Sequence, residues 1–234
     1  MNKKRILCII PARGGSKSIP YKNIALLNKK PLIMYSIDIS RQMFSDSDIC
    51  VSTDNKKIID VVESCGLSVS FIRPDNLATD TATTQEVLKH ALLFYENKNI
   101  FYDIIILLQP TSPFRLKRHL EEALKLYTDD CDMVVSVKKA SANPYYDLFE
   151  ENESGYLHIS KGDNKYTRRQ DVPTVWEYNG SIFIINCKSL KENNISDFSK
   201  IRKYCMEDIY SIDIDTPMDL LIAEELIKNK IVVL

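Results

Sequence analysis

Two short runs, Ile6–Ile10 and Ile104–Leu108, contain no polar residue, and they constrain this chain more than any other feature. A strand with one wet face alternates apolar and polar residues. A run that is apolar at every position is a strand buried on both faces, as in a parallel sheet covered by helices. The surrounding segments fit that reading. Helical spacing predicts helices at Leu32–Met43 behind Pro31, at Asn55–Cys65 between an Asn55 cap and Gly66, at Thr83–Tyr95, and at Leu116–Tyr127. Thr83 and Glu86 make a capping box at the third of these. Further strands are expected at Asp48–Ser52, Ser68–Phe71 and Met133–Val137. This alternation predicts an α/β fold: a doubly wound, mostly parallel, Rossmann-like sheet that takes ligands at the carboxyl ends of its strands.

The alternation stops after Val137. Residues 142–176 are polar and rich in aromatics and lack a long helical period. Within them Tyr145–Glu150 and Tyr156–Ser160 can pair as a hairpin across Asn152-Glu153-Ser154-Gly155. The segment reads as an arm inserted into a single domain that spans 1–234. Strand character returns at Ser181–Asn186 and Tyr204–Glu207, and a closing helix, Pro217–Lys228, follows an Asp215 or Thr216 cap.

Composition narrows the partners. The net charge is -1, so no global field draws the chain to nucleic acid or to an acidic membrane, and any cationic function is local. The six cysteines form no Cys-x-x-Cys pair and read as buried free thiols of a reducing compartment. Three histidines, His90, His119 and His158, argue against a histidine zinc site. Met1–Ile10 is too short for a signal peptide and ends at Pro11-Ala12-Arg13, and no segment approaches the roughly 20 apolar residues that span a bilayer. A cytoplasmic protein is expected.

The first strand runs into Ala12-Arg13-Gly14-Gly15-Ser16-Lys17, followed by Pro20 and Lys22-Asn23. Two glycines let backbone N–H groups approach an anion, and Arg13, Lys17 and Lys22 add charge, which suits a polyphosphate. The loop fits neither the Walker nor the dinucleotide glycine pattern; the competing reading is a tight turn with surface lysines. Later strand ends carry Val51-Ser52-Thr53-Asp54, Arg73-Pro74 through Thr83, and Leu108-Gln109-Pro110-Thr111-Ser112-Pro113-Phe114-Arg115. In an extended Ser211–Pro217, Asp213 and Asp215 project to one side, a carboxylate pair suited to a hard divalent cation. Alternatively, Asp215 only caps the last helix. Arg168-Arg169 offers an arginine fork to a carboxylate.

Taken in order, these motifs resemble the acylneuraminate (CMP-sialic acid, or CMP-nonulosonate) cytidylyltransferase family. The resemblance rests on Ile10–Lys17 with Ile19-Pro20 and Lys22-Asn23, on Ser52-Thr53-Asp54, on Arg73-Pro74 with Leu77-Ala78 and Asp80, on Gln109–Pro113, on Asn179-Gly180-Ser181 and on Asp213–Pro217. Enzymes for the eight-carbon acid of lipopolysaccharide share the Pro-Ala-Arg start but lack Gly-Gly-Ser-Lys and Lys-Asn.

The resemblance implies a nucleotidyltransferase fold and transfer of CMP from CTP to a nine-carbon 2-keto sugar acid, with release of pyrophosphate. It implies Arg13, Ser16, Lys17 and Lys22, with Ala12, Gly14 and Gly15, around the triphosphate. Asn23, Arg73, Ala82 and Thr84 would surround cytosine and ribose, Gln109 and Arg169 would meet the acid, and Asp213 and Asp215 would hold Mg²⁺. It also implies a homodimer joined through the arm, with Arg169 reaching across. The chain departs from some bacterial sialic-acid members, which carry cations where Tyr146 and Glu177 stand here. An apolar, single-hydroxyl Tyr146 suits a deoxygenated or acylamido tail, so a legionaminate-type acid is an alternative acceptor. A sugar-1-phosphate nucleotidylyltransferase and a non-catalytic homologue also stay open.

Overall fold

A computed structural model describes residues 4–233 of the chain; Lys3, part of the basic start of the opening segment, lies outside them. In chain order the elements are β1 (Ile6–Pro11), β2 (Leu26–Leu27), β3 (Lys30–Pro31), α1 (Leu32–Arg41), β4 (Ile49–Ser52), α2 (Lys56–Ser64), α3 (Thr84–Glu96) and β5 (Ile104–Leu107). Then come α4 (Lys117–Lys125), β6 (Met133–Lys139), β7 (Phe149–Glu151), β8 (Leu157–Ile159), β9 (Trp176–Asn186), α5 (Cys187–Glu192), β10 (Ile201–Cys205) and α6 (Pro217–Lys228).

The main sheet has the order β10-β6-β9-β5-β1-β4. β1 pairs in parallel with β4 and β5, and β6 with β10; β9 alone runs antiparallel, between β5 and β6. The apolar runs divide their side chains between two cores. Cys8, Ile10, Ile104 and Ile106 pack on one face with α1, α2 and α4, while Leu7, Ile9, Ile105 and Leu107 pack on the other with α3 and α5. Strict alternation inside an all-apolar run is what burial on both faces requires. The antiparallel β9 is a consequence of the arm: the chain leaves the sheet after β6 and re-enters at the same end, Trp176 opposite Lys139, so β9 runs back alongside β6. At the return, Gly180 sits at a positive φ of +69°.

Local signals account for most boundaries. Asn55 caps α2 by accepting from Lys57 N at 3.0 Å. The Thr83–Glu86 box is closed in both directions, at 3.2 and 2.7 Å. Thr216, not Asp215, caps α6. Pro31 occupies the cap position of α1 rather than its first turn.

Other expectations need correcting. Ser68–Phe71 is not a strand; only Ile72 bridges to Thr53, because the chain passes the end of β4 while anchoring Arg73, and Phe71 turns inward onto Phe94 and His90. The strand expected at Tyr204–Glu207 lies earlier, as β10; on this edge only Tyr204 is buried, so an apolar pattern could not mark it. The hairpin is shorter, Phe149 opposite Ile159, because Tyr145–Asp147 form a turn on the Asn143 side chain and carbonyl. Its loop closes on Asn152, whose Oδ1 accepts from Ser154 N and Tyr156 N, both at 3.0 Å. All six cysteines are free, but Cys205 is exposed and Cys65 half-buried, so burial holds only for Cys8, Cys50, Cys131 and Cys187. No helix among the described residues is long and apolar enough to cross a membrane.

Candidate active site

β1 and β5 run in parallel and end side by side, so the loops that follow them open toward the same edge of the sheet. A cleft of about 310 Å³ forms there, lined by Arg13, Gly15, Ser16, Lys22 and Asn23 from the first loop, by Arg73, Ala82 and Thr84 from the third, and by Gln109. Nine of the residues singled out in the sequence thus share one space.

The loop after β1 is held from beneath. Ala12 is buried and its N–H donates to the Ser52 carbonyl at 2.9 Å; Gly14 N donates to Asp54 Oδ1 at 2.9 Å. Those two N–H groups, expected to face a ligand, are therefore occupied by the scaffold. Gly14 is needed for approach instead: a Cβ there would lie 2.5 Å from Asn55 Nδ2. Asn23 donates to the Arg13 carbonyl at 2.9 Å, which fixes the loop's far end.

The cations are balanced by carboxylates. Asp80 bridges Arg13 and Lys17, each at 2.7 Å, and the two cations, Lys17 first, hold its carboxyl below the usual range. Lys17 itself is exposed and does not line the cleft. Lys22 pairs with Asp215 at 2.7 Å. Arg73 is buried and donates to the Ser52 side chain at 3.0 Å and its carbonyl at 2.5 Å. These bonds and its burial make the guanidinium part of the wall; burial also lowers its pKa.

Asp213 reaches the same region from the other end of the chain. The Ile214 N–H donates to the Thr111 carbonyl at 2.8 Å, tying the Asp213–Asp215 segment to the loop after β5. A Cβ on Gly180 would lie 3.0 Å from Asp213 Oδ2, 3.1 Å from Ser112 Oγ and 3.3 Å from Gln109 Oε1, so these three groups converge over one glycine. Asn179 is buried and bonded on both sides, accepting from Ser136 at 2.6 Å and donating to Ser211 at 2.9 Å. Beneath them Arg115 is buried and donates to the Ser181 carbonyl and the Gln109 carbonyl, each at 2.7 Å. Burial pulls its pKa down to about 10, still cationic at neutral pH. Asp213 is pushed up by burial and also by Asp215, against the opposing pull of its hydrogen bond to Thr111.

A second cleft, about 390 Å³, contains Asp213, Lys138, Lys139 and Ser141; a third, about 480 Å³, contains Lys139, Ser141 and Arg169. Arg169 is exposed and its guanidinium donates to the Ser141 carbonyl of its own chain. Tyr146 and Glu177 line none of these three clefts: Tyr146 lies in the turn at the arm's base, and Glu177 faces Lys138 across the β6–β9 ladder at 3.4 Å. His90 and His119 line none of them either. His119 is buried, accepting from Leu116 N through Nδ1 at 3.2 Å, and burial drives its pKa down to about 4. Sequence reasoning placed Arg115 at the end of the segment after β5 but gave it no role, and it passed over Lys139, one of two lysines at a strand end.

A family model described as Cytidylyltransferase matches residues 7–233. The chain belongs to the cytidylyltransferase family. Among similar members of known name is the CMP-N,N'-diacetyllegionaminic acid synthase of Legionella pneumophila, 35% identical, with the match covering 96% of this chain and 97% of that protein. Another is the N-acylneuraminate cytidylyltransferase of Streptococcus agalactiae serotype V, 38% identical over 92% of this chain; the match spans 51% of that longer protein. The fold of this cytidylyltransferase family member is also that of a solved CMP:2-keto-3-deoxy-manno-octonic acid synthetase complexed with CTP, with a TM-score of 0.69, 19% identity and coverage of 97% and 99%.

Proposed function

We propose that the chain transfers CMP from CTP to the anomeric hydroxyl of a nine-carbon 2-keto sugar acid. The anomeric oxygen forms a bond to the α-phosphorus and gives up its proton to water, the bond from that phosphorus to the β-phosphate bridge breaks, and pyrophosphate leaves. The observation that carries this reading is the meeting, at one sheet edge, of a cationic loop after β1 with a carboxylate pair from the far end of the chain. Such a reaction needs little covalent help; positioning and charge stabilisation do most of it.

In this reading Arg13, Ser16, Lys17 and Lys22 hold the triphosphate, and the Gly15 side of the loop admits it closely. Asn23, Arg73, Ala82 and Thr84 bound the cytosine and ribose, a short wall that suits a pyrimidine. Gln109 and Arg169 meet the sugar acid. Asp213 and Asp215 are a fitting pair for Mg²⁺: both offer hard oxygen donors, and the charge of Asp215 adds to burial in raising Asp213. Among the described residues no group of three or more His, Cys, Asp or Glu could hold a metal alone. The cation would therefore be held jointly by the carboxylates and phosphate oxygens, and when bound it supplies neutralisation of charge on the reacting phosphate. The arm exposes Leu148, Phe149, Tyr156 and Leu157, a surface suited to burial against a second copy, so we take the working unit to be a homodimer. CTP as substrate fits a cytoplasmic enzyme.

Legionaminate-type acids are the favoured acceptors over N-acetylneuraminate, on the absence of cations at Tyr146 and Glu177 and the likeness to the Legionella synthase. The test is pyrophosphate release measured with CTP, ATP and GTP against both acids and against a sugar 1-phosphate. CTP with a keto acid alone should turn over, in a reaction that EDTA stops and Mg²⁺ restores. Equal rates with ATP, or turnover of the sugar phosphate, would overturn the assignment. Sedimentation as a monomer would remove the dimer.

A further inference from the structure

We propose that Lys139 receives the carboxylate of the acceptor and so selects acids over their neutral analogues. The inference rests on the transfer reaction proposed above and assigns a residue to it. In the ring form of a 2-keto sugar acid, the anomeric carbon bears both the attacking hydroxyl and the carboxylate. Wherever that hydroxyl meets the α-phosphorus near Asp213, the carboxylate arrives on the same carbon. A second negative charge beside a half-buried aspartate needs a cation close by.

Lys139 is placed to be that cation. It is the last residue of β6, which lies parallel to β5 through the shared neighbour β9, so it projects from the same sheet edge as Gln109. It lines the cleft that contains Asp213 and also the cleft that contains Arg169. Of the other charges in these clefts, Lys138, Asp219 and Arg169 have partners. Lys138 faces Glu177 at 3.4 Å. Asp219 accepts from Thr216 N at 2.7 Å and from Thr216 Oγ1 at 2.8 Å in capping α6. Arg169 donates to the Ser141 carbonyl. Lys139 makes no ion pair among the described residues, and Asp208, which lines both clefts, is not within ion-pair distance of it. The charge that Tyr146 and Glu177 fail to supply is thus present on the opposite strand of the ladder, on Lys139 opposite Trp176.

The experiment is steady-state kinetics of the full-length protein with CTP, Mg²⁺ and whichever of legionaminate or N-acetylneuraminate the wild type uses better, alongside the methyl ester of the same acid. Lys139→Ala should raise KM for the acid by about tenfold or more, the worth of one charge-assisted hydrogen bond, and leave KM for CTP within about twofold. Lys139→Arg should recover most of the loss. The wild type should prefer acid to ester, and Lys139→Ala should lose that preference, which a merely structural role would not change. Lys138→Ala, whose charge already answers Glu177, should leave the acid KM within about twofold. An unchanged acid-to-ester ratio in a folded, active Lys139→Ala overturns the assignment of Lys139 and leaves the reaction standing. A wild type that releases no pyrophosphate from CTP with either acid overturns the reaction itself.

Discussion

The two walls of the site carry their charge differently. On the nucleotide wall each cation is already answered by the protein: Arg13 and Lys17 by Asp80, Lys22 by Asp215, Arg73 by Ser52. On the acceptor wall Lys139 stands unpaired among the described residues, Arg169 is exposed, and the arm beside it shows apolar side chains to solvent. A paired wall keeps its shape without ligand, since each cation is already held by a protein group. An unpaired wall is completed by what binds it. Preorganisation therefore sits on the side where charge develops during transfer, which is where it lowers a barrier most. The acceptor side is left free to vary with the acid.

The strongest way to break this comparison is to remove the carboxylates. Asp213→Asn and Asp215→Asn should each lower kcat by about two to three orders of magnitude, the usual loss for a group that stabilises transferring charge. Melting temperature should move little, because Asp215 is exposed and Asp213 lies at the cleft rather than in a core cluster. Near-normal turnover of both variants at limiting Mg²⁺ would place the pair in the scaffold and leave the nucleotide wall without its distinguishing role.

A smaller effect should come from Gly180, over which Asp213, Ser112 and Gln109 converge. Gly180 is at φ +69°, and a methyl group there would press on Asp213, Ser112 and Gln109 together. Gly180→Ala should cost about 1–3 kcal/mol of stability from the strained backbone. It should also lower kcat/KM for both substrates by about tenfold to a hundredfold, since misplacement by an ångström is felt at that scale. If only the acid's KM changes, Gly180 belongs to the acceptor wall alone.

The same contrast explains what could be read before the structure. The nucleotide side is written in contiguous stretches, Ala12–Asn23 and Arg73–Thr84; residue type and spacing marked Arg13 and Lys22 as phosphate cations, the family resemblance added Ser16, Asn23, Arg73 and Thr84, and all six line one cleft. The β-α alternation was legible for the same reason, as Ile104–Leu107 and the Thr83 box are local. The acceptor wall joins residues far apart in sequence. Lys139 and Glu177 matter through a cross-strand ladder, and an antiparallel β9 cannot be inferred from a strand that looks like any other. The pairing of Asp80 with two loop cations, and the burial of Arg115 under Gln109, depend on packing that no spacing reveals.

Away from both walls, His119 offers a control on stability that should leave the comparison intact. Burial holds its folded pKa at about 4, against 6.5 for the unfolded chain. Between these values the unfolded state binds a proton that the folded state does not, so stability falls as pH drops from 7 toward 4. The loss should reach about 1–3 kcal/mol, reduced by Glu207, whose carboxylate lies 3.6 Å from Nε2 and favours the proton. His119→Gln keeps an acceptor for the Leu116 N–H and should flatten this slope in denaturant titrations at pH 7 and 5. An unchanged slope would mean that Glu207 already compensates the buried ring.

The smallest expected effect concerns which acid the acceptor wall prefers, and it sharpens the comparison most. Tyr146 and Glu177, where some bacterial sialic-acid members carry cations, carry none here and line neither cleft of the proposed acceptor wall, so in this reading they give no charge-assisted hydrogen bonds to a glycerol tail. A site that bonds hydroxyls rejects analogues lacking them steeply, whereas an apolar one excludes an added hydroxyl only weakly. The expected ratio of kcat/KM, legionaminate over N-acetylneuraminate at saturating CTP, is therefore between about one and ten. Tyr146→Lys should shift that ratio toward N-acetylneuraminate and leave KM for CTP unchanged, because the nucleotide wall does not sense the tail. A wild-type preference for N-acetylneuraminate above about tenfold, about 1.4 kcal/mol of transition-state binding, would mean that the tail is read by groups other than these two, and that the acceptor wall is as preorganised as its partner.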